Sequence, residues 1–376
     1  MDVDRARALA YRIAAQGLHR DGRLDAVLSL GLQHTGAAAT VALAARQPDG
    51  AMTGPAASTD PAQLGLVTAW THRGAPHHHL PPDLGPLAAA SRPLSDADAA
   101  ARLSWSGPEQ RRIGIGGLDA VDRTADALAD AVVAPMTKGA ASAAVTTRLA
   151  PGLLRDCRPC GCTHVHEQLM RLAASPAGLG LDAWSPTLLL LPPAPGWVRP
   201  RGAGDPRVAA ALVHRVVRAL GPTSPAHVAG FVGSTTTAFG PAWDAAVGEL
   251  LEVRVDGVRA WVASEDADAV ADPPEPDLVR LLPPSDPLLQ GRDRELLVPD
   301  ADRRAALYRA LGNQGAVLAD GEIVGAWRPK ASAGRLTVTV EEFEPLTPHV
   351  RAGVAEEAER VAEARGMTLR SVARDG

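Results

Sequence analysis

The stretch EVRVDGVRAWVA, residues 252–263, does most to limit what this chain can fold into. Apolar and polar residues alternate on both sides of Asp256-Gly257. A two-residue Asp-Gly turn between alternating runs is the signature of a tight hairpin, because both central residues must take positive φ. The residues before it read as helices. Pro206–Leu220 is amphipathic. Ser224-Pro225 looks like an N-cap with Pro at the first helical position, opening a short helix to Phe231. Pro241–Leu251 reads as a third. Three helices followed by a hairpin is the order of a winged helix.

The same order recurs twice with less clarity. Helices are expected at Ala120–Val133, from Gly139 to Leu149 and at Val165–Ala174, followed by a buried strand in WSPTLLLLPP. Near the N-terminus helices are expected at about 4–18, 23–31, 37–46 and 61–69, before THRGAPHHHLPP. No residue identity links the three segments, so the repetition is one of architecture. The acidic, proline-rich SEDADAVADPPEPD, residues 264–277, reads as a boundary. Beyond it lie a second hairpin about Asp320-Gly321, an alternating strand in RLTVTVEEF, and helices at Asp302–Leu311 and Pro348–Arg365. The expected fold is therefore α+β: tandem winged-helix motifs and a small C-terminal β-rich, barrel-like domain. The expected boundaries are 1–105, 106–204, 205–264, a linker at 265–277, and 278–376.

Composition narrows the class. The chain's 376 residues are 46% hydrophobic but only 3% aromatic, so its cores are built from Ala, Leu and Val. Its 36 glycines and 32 prolines follow no period, which fits many short elements joined by turns. No apolar run approaches membrane-spanning length and no leader-like N-terminus is visible, so a cytoplasmic protein is expected. A net charge of −5 does not advertise a nucleic-acid partner, though a basic face can coexist with an acidic remainder. Lys138 and Lys330 are the only lysines; the other fixed cations are arginines, which suit phosphates and base edges.

Several motifs invite chemistry. DCRPCGCTHVHEQLMR holds Cys157, Cys160, Cys162, His164 and His166, with zinc-like C-x-x-C spacing. Zinc is not expected, because no second knuckle exists and five candidates within ten residues crowd one tetrahedron. THRGAPHHHLPP brings His72, His77, His78 and His79 together. Neighbours on a strand face opposite ways, so a loop or wing is expected here, with Arg73 and the histidines near phosphates. Residues 114–117 look like a dinucleotide loop but follow no strand. PPSDPLLQGRDRELL concentrates Asp286, Gln290, Arg292, Asp293 and Arg294. It is either a surface loop of self-paired charges, or two arginines aimed at an anion and held by Asp293. In LGLQHTGAAATVALAAR, residues 30–46, an amide, an imidazole and a hydroxyl (Gln33, His34, Thr35) stand directly before an apolar helix. Gly36 alone would have made the turn.

Taken in order, RIAAQGL, LGLQHTGAAATVALAAR, THRGAPHHH, LLPPSDPLLQGRDRELLVPD and GAVLADGEIVGAWR resemble the winged-helix DNA-binding-domain family that includes AlkZ/YcaQ-type bacterial DNA glycosylases. The resemblance runs from about residue 5 to 365. It implies tandem winged helices and a barrel-like domain around a DNA channel. In that family a Gln-x-Gln or Gln-x-Asp motif is catalytic; it falls here on Gln33-His34-Thr35, with Thr35 in place of the second amide or the carboxylate. The resemblance implies catalytic roles for Gln33 and Thr35. The expected DNA contacts are His34, Arg73, His77, Lys138, Arg292, Arg294, Trp327 and Arg328. His34 also titrates near neutrality, which suits an acid or base, but the family does not reserve that position and a solvated histidine is expected. Two functions follow. One is a monofunctional glycosylase of base excision repair, releasing cationic alkylated purines or bulky adducts from double-stranded DNA without cofactor or metal. The other is a non-catalytic DNA-binding regulator or lesion sensor. A monomer associated with the nucleoid is expected in either case.

Overall fold

The structure is a computed structural model, describing residues 1–48, 60–309 and 312–374. It divides into two compact units, each assembled from separate stretches of chain: 1–65, 215–224 and 250–376 form one, 66–214 and 225–249 the other.

In the first unit, Asp4 caps the Arg5–Ala15 helix through its side chain, and the helix buries Leu9 and Ile13. Asp2–Val3 pairs in parallel with the Leu250–Val255 strand. That strand and Val258–Ala263 form the expected hairpin, with Val255 opposite Val258 and positive φ at Asp256 and Gly257. The second hairpin also closes in two residues, Ala319 opposite Glu322. It belongs to a five-stranded sheet in the order Val279–Leu282, Gly315–Ala319, Glu322–Ser332, Arg335–Glu342, Thr368–Arg374. The last strand joins in parallel. The sheet is open and no closed barrel forms among the described residues. One apolar cluster on it holds Trp327, Val338 and Val340 together with Val350, Val354 and Val361 of the Pro348–Ala364 helix and Val41 of the Ala38–Ala44 helix.

The second unit is built around another apolar cluster, to which the Gly117–Ala131 and Glu167–Ala174 helices contribute Val121, Leu128, Leu169 and Met170. Beside them an antiparallel sheet runs Pro76–His79, Val67–Trp70, Gly180–Asp182, Leu189–Leu191, Met136–Thr137. The Leu154–Cys157 and Cys162–Val165 strands make a separate two-stranded ribbon.

Most expected elements are present, including Pro206–Leu220 with the bounds anticipated and Pro225–Val232 after its Ser-Pro opening. Three departures have physical causes. The helix expected near 61–69 is a turn followed by the Val67–Trp70 strand, because Val67, Thr68 and Trp70 suit a pleated, half-buried surface. The third helix of the 205–264 segment runs Thr236–Ala246 and carries Pro241 inside it; the Thr235 hydroxyl accepts from the Ala238 amide and starts the helix about a turn early. The stretch read as an acidic linker forms a 3-10 turn at Ser264–Asp266 and a short α-helix at Ala267–Ala271, and Val270 is fully buried against Tyr11 and Val253. The helix expected to Leu311 spans Ala301–Leu307; residues 310–311 lie outside those described.

Candidate catalytic segment and buried network

Gln33, His34 and Thr35 lie between two glycines of positive φ. Gly31 (φ 92°) ends the Asp25–Leu30 helix, its amide donating to Val27 O at 2.9 Å. Gly36 (φ 54°) turns the chain into the Ala38–Ala44 helix. The left-handed region strains other L-residues, so glycines at both ends set a short extended segment apart from the helices. Leu32 is buried below it, Gln33 and His34 are half-buried, and Thr35 is exposed. The Thr35 carbonyl accepts from the Ala38 amide at 3.1 Å, which leaves its hydroxyl clear of the turn hydrogen bond. Burial lowers the His34 pKa below its ordinary value, so the ring is neutral at pH 7. It is therefore not the solvated histidine expected, and it brings no positive charge to a phosphate.

The helix that follows is fixed from its other end. Arg46, fully buried, uses all five of its N–H donors. It bonds Asp286 through two nitrogens at 2.7 and 2.8 Å, the Gln16 side chain at 3.0 Å, Gln16 O at 2.9 Å and Ala42 O at 2.8 Å. Gln16 in turn donates to Ala219 O at 2.8 Å. A second buried pair lies on the same helix as Gln16: Arg12 grips Asp293 at 2.6 and 3.2 Å and also bonds Gly221 O and Pro222 O. Asp286 and Asp293 of PPSDPLLQGRDRELL thus each take an arginine from outside the loop, and Asp286 also accepts from the Leu288 amide within it at 3.0 Å. They anchor the loop to two helices far away in sequence. Arg46 and Gln16 were not singled out in the sequence; an arginine closing an all-apolar helix is the signal that could have found Arg46.

The residues expected on DNA have different fates. Trp327 is 1% exposed and donates from Nε1 to Leu282 O at 2.8 Å. It is a core side chain supporting the same cluster as Val41, not a surface contact. His77, expected on a loop or wing, is buried on the Pro76–His79 strand together with His78 and His79. Thr71 Oγ1 lies 3.0 Å from His77 Nδ1 and 3.1 Å from His79 Nε2, and Thr68 Oγ1 lies 2.9 Å from His78 Nδ1. Burial, and then the neighbouring His72, His79 and Arg73, hold the His77 pKa well below its usual value. Arg73, at φ 57°, packs its guanidinium 4.7 Å from the Phe231 ring centre and donates to Phe231 O. Lys138 forms an ion pair with Glu167 at 2.5 Å. Arg294 stacks 4.0 Å over Tyr308. Arg292 and Arg328 are exposed. Gln33, His34, Thr35, Arg292, Arg294 and Arg328 belong to the first unit; Arg73, His77 and Lys138 belong to the second.

Among groups able to hold a metal, Cys157, Cys160 and His164 offer ligand atoms all within 4.8 Å of one another. No described helix is long and apolar enough to cross a membrane.

The family model described as AlkZ-like, DNA glycosylase AlkZ-like, matches residues 27–364. The structure is similar to that of Streptomyces sahachiroi DNA glycosylase AlkZ, with a TM-score of 0.73 and 22% identity over 100% of both chains. No curated protein matches the chain.

Proposed function

The chain belongs to the AlkZ-like DNA glycosylase family, and on that footing we propose that it is a monofunctional glycosylase hydrolysing the N-glycosidic bond of cationic alkylated purines in double-stranded DNA. The observation that carries this reading is the set of polar side chains on the Gln33–Thr35 segment. They supply an amide and a hydroxyl, and no carboxylate.

Glycosidic cleavage builds positive charge on the sugar as the base departs with the bonding electrons. A base alkylated at N7 or N3 leaves as a neutral molecule and needs no protonation. Gln33 Oε1 and Thr35 Oγ1 can accept hydrogen bonds from a water and aim its lone pair at C1′. Neither is a base at pH 7, so the water's proton passes to solvent after attack. A neutral His34 is poorly placed to protonate a leaving group. The chemistry thus falls to the substrate's own charge, and bulky adducts are in range when they too are cationic. Lyase chemistry needs an amine nucleophile, whereas Lys138 is engaged by Glu167.

Duplex binding in this reading uses winged helices, the clearest being the three helices and hairpin of 205–264, with the domain boundaries expected above. Arg292, Arg294 and Arg328 are the phosphate contacts of choice. The target base must leave the stack to reach the segment. The protein acts as a monomer in the cytoplasm, at the nucleoid, and its product enters base excision repair.

A second reading is favoured by one observation: Thr35 stands where the family motif has an amide or carboxylate. In that reading the chain is a lesion sensor that binds without cutting. Single-turnover release of free base from duplex DNA carrying 7-methylguanine or 3-methyladenine separates the two. Release above the spontaneous rate supports the glycosylase; binding without release supports the sensor.

A further inference from the structure

The ribbon Leu154–Cys157/Cys162–Val165 lies apart from the Gln33–Thr35 segment in sequence and belongs to the other unit. We propose that its tip is a binding site for a thiophilic divalent cation, zinc, held by Cys157, Cys160 and His164.

The geometry is that of a knuckle. Cys157 ends one strand and Cys162, its ladder partner, begins the next. Between them the Gly161 amide donates to Cys157 O at 2.9 Å, and Gly161 takes φ 65°. This turn brings Cys160 back over the strands until its sulfur, that of Cys157 and a ring nitrogen of His164 are mutually within 4.8 Å. Ligands about 2.0–2.3 Å from one zinc ion stand roughly 3.5–3.8 Å apart on a tetrahedron. Small side-chain rotations close the remaining gap. The crowding expected from sequence therefore does not arise: the turn selects three of the five candidates, leaving a fourth position for water or Cys162.

The histidine is prepared for the role. His164 Nδ1 lies 2.7 Å from Val165 O, a group that can only accept, so Nδ1 carries a proton and, in the neutral ring, Nε2 is the nitrogen with the free lone pair. Metal-bound histidines are usually oriented in this way, by a backbone carbonyl on the other nitrogen. The ribbon's tip has no apolar core of its own; beyond its ladder it is tied across the strands by the Thr163 hydroxyl donating to Asp156. Leu153 and Val165 are buried at its base, while residues 158–163 are exposed and include no large apolar side chain. A two-stranded hairpin is marginal in water alone, and a metal cross-link supplies the order that a core would otherwise provide. On binding, the Cys157 and Cys160 thiols each lose a proton to solvent, and His164 binds as the neutral ring, giving its Nε2 proton to solvent wherever it carries one.

The test uses the full-length protein, reduced, purified and loaded with zinc sulfate alone. Native mass spectrometry should find one zinc per chain. Replacing zinc with cobalt should produce thiolate-to-cobalt charge-transfer absorption. Cys157→Ser, Cys160→Ser and His164→Ala should each lower zinc affinity at least tenfold against a competing chelator dye, with unchanged far-UV circular dichroism. Absence of zinc from the reduced wild-type chain would overturn the proposal. So would equal zinc retention by a Cys157→Ser/Cys160→Ser double variant. Both results are independent of whether the protein releases bases from DNA.

Discussion

The smallest scale is a side-chain substitution in the polar triplet. If Gln33 and Thr35 hold the attacking water, Gln33→Ala should slow release of 7-methylguanine by about 10²-fold, the order expected for one positioned polar group. Affinity for the same duplex should barely move. Thr35→Asp supplies the charge that the family motif carries elsewhere, and should raise the rate. Uracil, a neutral leaving group, should remain a poor substrate in both variants. Single-turnover rates together with binding titrations check all of this. An inert Thr35→Asp beside a fully active Gln33→Ala would move the chemistry away from this segment. Gly36 was readable as a turn from sequence alone. The neutrality of His34 was not, because it depends on what buries the ring.

At the scale of elements, the Ala38–Ala44 helix is held by Arg46–Asp286, with both side chains 0% exposed. Removing one partner of such a pair leaves a buried charge unmatched, at a cost of about 3–5 kcal/mol. Arg46→Ala or Asp286→Ala should therefore lower the urea midpoint sharply, more than Arg292→Ala at the exposed position nearby. The Pro76–His79 strand behaves differently with pH. His77 is held neutral when folded, with a pKa well below its ordinary value near 6.5. Between that depressed value and 6.5 the unfolded chain binds the extra proton, so stability rises with pH across this window. It is intact above about pH 6.5 and is lost as pH falls below. Chemical denaturation at a series of pH values should show the decline, and His77→Gln should flatten it. The sequence put the triple histidine on a loop or wing. Its place inside the sheet was not legible, since alternating exposure along a strand is overridden when both faces are covered.

For the whole molecule, the prediction is salt-sensitive duplex binding by a chain of net charge −5. Arginine contacts to phosphates release counterions, so affinity should fall linearly on a log–log plot against salt. Arg292→Ala and Arg328→Ala should each reduce both affinity and slope, equally on unrelated sequences, because phosphate contacts carry no base information. Unchanged slopes would remove these residues from the interface. The amino-acid sequence by itself determined what depends on neighbours in the chain. The Asp-Gly turns at 256–257 and 320–321, the capped and amphipathic helices, and the polar triplet ahead of an apolar helix are all set by local dihedral preference and periodicity. Tertiary structure alone decided the partners. Arg46 reaches Asp286, Arg12 reaches Asp293, Trp327 turns inward, and Cys160 folds back toward His164. Burial removes water as an alternative partner, so each polar group must find a protein acceptor or donor wherever the fold brings one, and no local spacing encodes which it will be.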